Sequence, residues 1–213
     1  RYIAWTALHN MGATAEQALV NVYNQSTDSR QRARTLWLLG KIEGRGAQYV
    51  EAATKDKDSD IRILGIRLAR ELKLDIIPIA ARLAKDPSAQ VRREVAIALR
   101  HNTSDKMPGL WAGLALQHDG QDRWYLEALG ISADKNWDAC LDAWLKRAGK
   151  DWNSPTGRDI VWRSRAKQTP ALLAKIVQDE STPTETHPRY MRAFDFLSGP
   201  EKDQALQSIL LGL

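Results

Sequence analysis

Apolar side chains recur along this chain at the spacing of an α-helix, and short polar stretches interrupt them at regular intervals. In the clearest stretch, Val95 and Leu99 stand three and seven residues after Arg92. Side chains at these offsets lie on one face of a helix, so Arg92 is predicted to stand near the start of a helix with an apolar face. Stretches with the two-residue alternation of β-strands are almost absent. The pattern therefore predicts an all-α protein.

The same pattern returns every 30 to 35 residues, each time after an arginine. These arginines are Arg1, Arg32, Arg62, Arg92, Arg123, Arg158 and Arg189. A second apolar helix is predicted after each first one, over residues 14–24, 45–54, 76–85, 110–117, 137–147, 171–179 and 202–211. The turns between helices are assigned to Gly12, Gly44, Asp75, Pro108, Asp134, Pro170 and Pro200. One helix–turn–helix unit cannot bury its apolar face alone. The period therefore predicts an α–α superhelix, a solenoid of about seven stacked repeats.

One segment identifies the type of repeat that the period resembles. Residues 86–92, Asp-Pro-Ser-Ala-Gln-Val-Arg, resemble the HEAT-repeat pattern, in which Asp-Pro and then Val-Arg open the first helix; 58–62 and 28–32 match it more loosely. An aspartate before a helix can accept hydrogen bonds from its free N–H groups, and proline is tolerated in the first turn. The resemblance implies that the arginine reaches an acidic or carbonyl group of a neighbouring repeat. The pattern is clearest over residues 1–130, and a longer loop at 148–157 accounts for the 35-residue spacing.

A more specific resemblance follows the best-formed repeat. The run 118–130, His-Asp-Gly-Gln-Asp-Arg-Trp-Tyr-Leu-Glu-Ala-Leu-Gly, and the run 135–138, Lys-Asn-Trp-Asp, depart from generic HEAT repeats. They resemble the HEAT-repeat segment of large secreted bacterial proteins that also carry a sugar-dehydrogenase-like propeller and a haem-binding cytochrome c-like domain. The resemblance implies a periplasmic or extracellular protein in which this segment spaces or docks redox domains. The chain has no Cys-x-x-Cys-His and no glycine-rich phosphate loop, so no cofactor is expected on it.

Composition and charge exclude only a few kinds of site. The chain has 213 residues, a net charge of +5 and one cysteine. A single cysteine excludes an internal disulfide and a cysteine-based zinc cage, and Cys140 is expected to be a small buried hydrophobe. Both ends read as the inside of helices, so residues 1–213 are expected to be one HEAT-like domain excised from a longer protein. Its location cannot be read from this segment directly.

Histidines and tryptophans supply the candidates for a functional site. The four histidines lack the spacing of metal ligands, and only His118, close to Asp119 and Asp122, forms a cluster. Asp119 fits a turn between helices, and Asp122 fits the next helix N-cap. Most of the eight tryptophans are expected in the core, whereas those near turns can anchor a partner. The candidate interaction surface comprises His118, Asp122, Arg123, Trp124 and Trp152.

Three functions are compatible with these observations. The favoured one is a non-catalytic scaffold that binds a protein partner or neighbouring domains of its own chain. The alternative is a nucleic-acid-binding module of the DNA-glycosylase type, because arginines such as Arg62, Arg67 and Arg70 cluster on first helices. Acidic residues between the arginines favour a mixed, solvated face instead. The third is an enzyme with a pocket around His118 and Asp122. We expect that this segment is not an enzyme, even where its parent protein is a dehydrogenase.

Overall fold

The computed structural model describes residues 2–212, and all regular secondary structure in this range is helical. The all-α prediction is therefore confirmed. The described residues form two compact units, with the boundary between Ala98 and Leu99. The predicted repeat start at Arg1 lies outside the described residues.

The first unit consists of short helices joined by tight turns. They are α1 Tyr2–Met11, α2 Glu16–Gln25, α3 Ser29–Gly40, α4 Gly46–Ala53, α5 Ser59–Glu71, α6 Ile77–Leu83 and α7 Ala89–Ala98. A 3₁₀ helix, Gly12–Ala15, separates α1 from α2. The helices lie within a few residues of the predicted ones because the apolar period is a local property of the sequence.

The second unit has the same kind of local structure. Its helices are α8 Met107–Ala115, α9 Arg123–Ser132, α10 Trp137–Ala148, α11 Pro155–Arg163, α12 Thr169–Gln178, α13 His187–Ala193 and α14 Pro200–Gly212. Its 3₁₀ helices are Gly149–Asn153, Thr184–Thr186 and Phe194–Phe196. Most of its connections are therefore short turns or single helical turns.

Three prolines that the sequence assigned to turns lie inside helices instead. Pro108 and Pro170 occupy the first turns of α8 and α12, and Pro200 is the first residue of α14. The N–H groups of a first turn have no partner within the helix, so a proline there removes no hydrogen bond. The predicted loop at 148–157 is also shorter than expected, because it contains the 3₁₀ helix Gly149–Asn153 and the start of α11.

Aspartates cap several first helices, in agreement with the sequence. The carboxylates of Asp28 and Asp58 accept hydrogen bonds from backbone N–H groups of α3 and α5, at 2.8 and 2.9 Å. Asp122 does the same for α9, at 3.0 Å. Each bond satisfies a donor that the helix itself leaves unpaired, and the negative charge suits the positive end of the helix dipole.

Aliphatic side chains fill the core of the first unit, where α4 packs against α5. Gly65 of α5 stands three residues after Arg62 and permits this close approach. A Cβ atom at Gly65 would lie 2.9 Å from Cγ2 of Thr54 and 3.0 Å from Cβ of Ala53. Any larger side chain at this position would therefore push the two helices apart.

Arginines near the start of first helices bind aspartates that precede the next first helix. Nε and Nη2 of Arg62 donate to the two carboxylate oxygens of Asp86, at 2.7 and 2.8 Å, and Arg32 pairs with Asp56. Arg62 and Arg92 also donate to main-chain oxygens of Asp56 and Asp86, at 2.8 and 2.7 Å. The side chains of Arg62 and Asp86 are almost wholly buried, so salt screens this pair little. We name these contacts the arginine–aspartate links.

Aromatic and sulfur-containing side chains contribute to the core of the second unit. Trp111 is fully buried, and its indole N–H donates to the main-chain oxygen of Leu129 at 2.9 Å. Cys140 is also fully buried, with Sγ 3.6 Å from Sδ of Met107. Burial raises the pKa of the Cys140 thiol to about 12. A thiol that stays protonated at neutral pH is a poor nucleophile, so the predicted role of Cys140 as a small buried hydrophobe is confirmed.

Candidate functional site

Three polar side chains from distant parts of the sequence meet in the second unit. His118 lies shortly after α8, whereas Asp159 and Arg189 belong to α11 and α13, which contact each other. Nε2 of His118 is 3.0 Å from Oδ2 of Asp159, and Nη2 of Arg189 is 2.7 Å from Oδ1 of Asp159. Both carboxylate oxygens of Asp159 are therefore engaged. We name these three residues the His118 cluster.

The surroundings determine the charges within the His118 cluster. Burial alone would raise the pKa of Asp159, but the hydrogen bond from His118 and the charge of Arg189 outweigh it and hold that pKa below its usual range. The ionised carboxylate of Asp159 accepts a hydrogen bond from Nε2–H of His118. His118 is only 7% exposed, and its Nδ1 has no hydrogen-bond partner among the described residues. A buried polar atom without a hydrogen-bond partner is unfavourable by about 1–3 kcal/mol.

The His118 cluster borders a cavity of about 250 Å³, which we name the Arg189 cavity. Its charged lining residues are Arg123, Asp159 and Arg189, and His118, Gly120, Gln121, Leu126 and Trp162 complete the lining. The guanidinium of Arg189 lies 4.4 Å from the centre of the Trp162 ring, in a cation–π contact. Arg123 forms no ion pair with any residue in the described range 2–212. The lining therefore carries two guanidinium groups and only one carboxylate.

His118 also lines a second cavity, of about 280 Å³. Trp144, Asp151, Ser154 and Thr156 form part of its wall. Ser154 is the N-cap of α11, and its Oγ accepts a hydrogen bond from a backbone N–H at 3.2 Å. The hydroxyl of Ser154 is therefore already used to start a helix. Arginine side chains line the Arg189 cavity and not this one.

Three residues of the predicted interaction surface are accessible to a partner. Trp124 is 69% exposed, and Arg123 is exposed next to it at the start of α9. Trp152 is partly exposed in the 3₁₀ helix that precedes α11. Trp111 and Trp144, in contrast, are buried in the core. An indole as exposed as that of Trp124 is a large apolar surface in contact with water.

The other two residues of the predicted surface have different roles. His118 is buried and so cannot belong to an exposed surface, because its ring packs against Tyr125 at 6.5 Å between centroids. Asp122 is the N-cap of α9. Asp119 shapes the preceding turn and accepts a backbone hydrogen bond at 2.9 Å, as the sequence predicted. The hydrogen-bond partner of His118 is Asp159, and neither Asp119 nor Asp122 has that role.

No local pattern in the sequence indicates that Asp159, Trp162 and Arg189 belong to a site. Arg189 was recognised only as the start of a repeat. Asp159 lies 41 residues after His118, so no local motif joins the two. Their meeting depends on how α11 packs, which periodicity alone does not specify.

Several arginines of the predicted basic clusters are engaged in ion pairs. Nη2 of Arg67 is 2.8 Å from Oε2 of Glu94, and Nε of Arg163 is 3.1 Å from Oε2 of Glu127. Arg62 belongs to an arginine–aspartate link. These charges are compensated locally, as expected for a mixed face.

The first unit has a large cleft of a different kind. Its volume is about 560 Å³, and its wall is mostly apolar, with Trp5, Leu8, Leu19, Val22 and Leu38 among the lining residues. It lies among α1, α2 and α3. Its polar lining residues are Tyr2, Gln31, Arg34 and Thr35.

Within residues 2–212, no group of three or more acidic, histidine or cysteine side chains could hold a metal ion. None of the helices in this range has the length and apolar character of a membrane span. No family model, characterised protein or solved structure matches this chain significantly.

Proposed function

We propose that this chain is a non-catalytic scaffold, a HEAT-like solenoid of about seven two-helix repeats. In this proposal it binds a protein partner or neighbouring domains of its own polypeptide, and it links or docks domains of a larger bacterial redox protein. The observation that carries the proposal is the set of arginine–aspartate links. Arg32 and Arg62 each bind an aspartate 24 residues further on, so the same residues join successive two-helix units.

Links between neighbouring units suit a scaffold for a physical reason. Each unit needs only its neighbours for stability, so the array extends without a central core and keeps a large surface for binding. The side chains of Arg62 and Asp86, which are almost wholly buried, serve such a link. The fold itself leaves the partner open, so the partner must be inferred from the surface.

The surface that best fits a protein partner is the start of α9. There Arg123 and Trp124 stand side by side, both exposed, and Trp152 is partly exposed elsewhere in the same unit. Tryptophan and arginine dominate the binding energy of protein interfaces, because they combine apolar area with hydrogen-bond donors. We propose Arg123 and Trp124 as the centre of the docking surface.

Small-angle X-ray scattering tests the architecture. A compact globule of this length has a radius of gyration of about 17 Å. We expect a clearly larger value, with a distance distribution that has an extended tail, because a solenoid is elongated. A value near that of a globule would contradict the solenoid.

Calorimetric titration tests the docking surface. The partners are the propeller-like and cytochrome c-like domains expected on the same polypeptide, produced separately. We expect that Trp124→Ala weakens the binding of at least one domain by about thirtyfold, as for a buried interface anchor. Phe196→Ala is the matched control, because Phe196 is a 63% exposed aromatic residue in the same unit. Equal losses in both variants, or no binding by the parent chain, would contradict the proposed role.

A further inference from the structure

We infer that the Arg189 cavity is a binding site for a carboxylate group, supplied either by a small aromatic acid or by an acidic peptide side chain. The inference does not depend on the scaffold proposal. It rests on the charges that line the cavity and on the contacts that hold them in place.

The first argument is the balance of charge around the cavity. Asp159 is the one carboxylate in the lining, and both of its oxygens are already engaged by His118 and Arg189. A cationic ligand would therefore find no free carboxylate oxygen there. Arg123 lines the same cavity and has no ion-pair partner among the described residues. The cavity thus has an excess of positive charge that an anion would compensate.

The second argument is the rigidity of Arg189. Its guanidinium is held on one side by the Trp162 ring, at 4.4 Å, and at one nitrogen by Asp159, at 2.7 Å. A guanidinium has five N–H donors in a fixed plane, and this ion pair engages one nitrogen. The remaining donors are oriented before any ligand arrives, which lowers the entropy lost on binding. A carboxylate matches such a planar donor set with two parallel hydrogen bonds.

The third argument is the mixture of polar and apolar walls. Leu126 and the indole of Trp162 line the cavity beside the two arginines. A ligand with a flat apolar group next to its carboxylate therefore fits the wall better than a fully hydrated anion does.

Benzoate is the probe that tests the inference, with benzamide as its uncharged counterpart of the same shape. Binding is followed by ¹H–¹⁵N NMR on the indole N–H of Trp162 and the Nε–H of the arginines. We expect saturable shifts with benzoate and none with benzamide. We expect weaker binding of inorganic phosphate, because it lacks the apolar group. Shifts that are equal for benzoate and benzamide, or tighter binding of phosphate, would overturn the inference.

Two arginine variants separate this site from non-specific attraction. Arg123→Gln should weaken the binding of benzoate about tenfold, because one charge-assisted contact is lost. Arg192→Gln is the control, since Arg192 is an exposed arginine of α13 that does not line the cavity. Equal effects of the two variants would show that benzoate is attracted by the overall positive charge and not bound in the cavity, which would contradict the proposal. Arg123 is exposed and forms no ion pair with residues 2–212, so its variant should fold like the parent chain.

A peptide pair distinguishes the two sources of the carboxylate. The blocked peptide Glu-Phe-Glu is compared with Gln-Phe-Gln under the same conditions. Tighter binding of the acidic peptide than of benzoate assigns the site to a protein partner, and the reverse order assigns it to a small acid. Either order supports the carboxylate site. If benzoate binds while the separately produced domains do not, only the scaffold proposal fails.

Discussion

The arginine that opens a first helix has different partners in the two units. In the first unit, Arg62 is mostly buried and binds both carboxylate oxygens of Asp86. In the second unit, Arg158 is buried against Ser181, with Nη2 2.8 Å from its Oγ, while Arg123 is exposed without an ion pair to the described residues. The residue type alone therefore does not decide the role of this position. In the second unit the arginine therefore either donates to a hydroxyl or forms no ion pair with the described residues.

The largest expected effect is on the stability of the first unit. Arg62→Ala would leave the buried carboxylate of Asp86 without its partner, which destabilises a protein by about 3–5 kcal/mol. Urea unfolding followed by circular dichroism measures this loss. Arg123→Ala, the same change at the corresponding position of the second unit, should alter the free energy of unfolding by less than about 0.5 kcal/mol. Similar losses would show that the two arginines do not differ as described.

The next largest effect is expected on the stability of the second unit, through the His118 cluster. Asp159→Asn would remove the charge that holds Arg189 and His118, and we expect a loss of about 1–3 kcal/mol in the second unit. Tryptophan fluorescence reports on this unit, because only Trp5 and Trp37 of the eight tryptophans precede the boundary. Asp119→Asn is the control, since an asparagine oxygen can also accept the backbone hydrogen bonds of that turn. If both variants unfold at the same urea concentration, the His118 cluster makes no specific contribution to the stability of the second unit.

Local features of the fold could be predicted from the sequence, and long-range ones could not. The helices, the Asp58 and Asp122 caps and the burial of Cys140 follow from residue patterns within one or two turns. The turn assignments of Pro108 and Pro170 were wrong because proline fits the first turn of a helix as well as a turn before it.

The contacts of the candidate site could not be predicted from local patterns in the sequence. His118 was singled out correctly, but with Asp119 and Asp122, its neighbours in sequence. Its partner is Asp159, which α11 brings to it across 41 residues. An apolar period predicts which face of a helix is buried. It does not predict which polar side chains of other helices that face contacts. Only the packing of α9, α11 and α13 determines that meeting.

A smaller effect is expected on the pH dependence of stability in the first unit. Burial alone would raise the pKa of Asp56, but the backbone N–H of Asp58 and the ion pair with Arg32 hold it below its usual range. A carboxylate with a lowered pKa stabilises the fold above its unfolded pKa of about 3.9, and this contribution is lost as the pH falls through the folded value. We expect the free energy of unfolding to decrease with acid below about pH 4. Asp56→Asn should flatten this decrease in acid titrations, and an unchanged slope would contradict the assignment.

The weakest effect is expected in the binding of nucleic acid. Because several arginines are neutralised by Glu94, Glu127 and the linking aspartates, fluorescent duplex and single-stranded DNA should bind weakly at physiological salt. Fluorescence anisotropy over a salt series measures the affinity. Tight binding that falls by orders of magnitude with added salt would instead favour the DNA-glycosylase-like alternative.

The arginine–aspartate links also restrict how a protein of this kind can change in length. Arg62 bonds the main chain of Asp56, six residues before it, and the carboxylate of Asp86, 24 residues after it. Removal of residues 57–86 would place Arg92 six residues after Asp56 and leave the bond from Arg32 intact. Removal of residues 57–71 alone would delete Arg62 and leave Asp86 buried without its partner. A change in length by the larger segment therefore keeps arginine and aspartate in register, whereas a change by half of it does not.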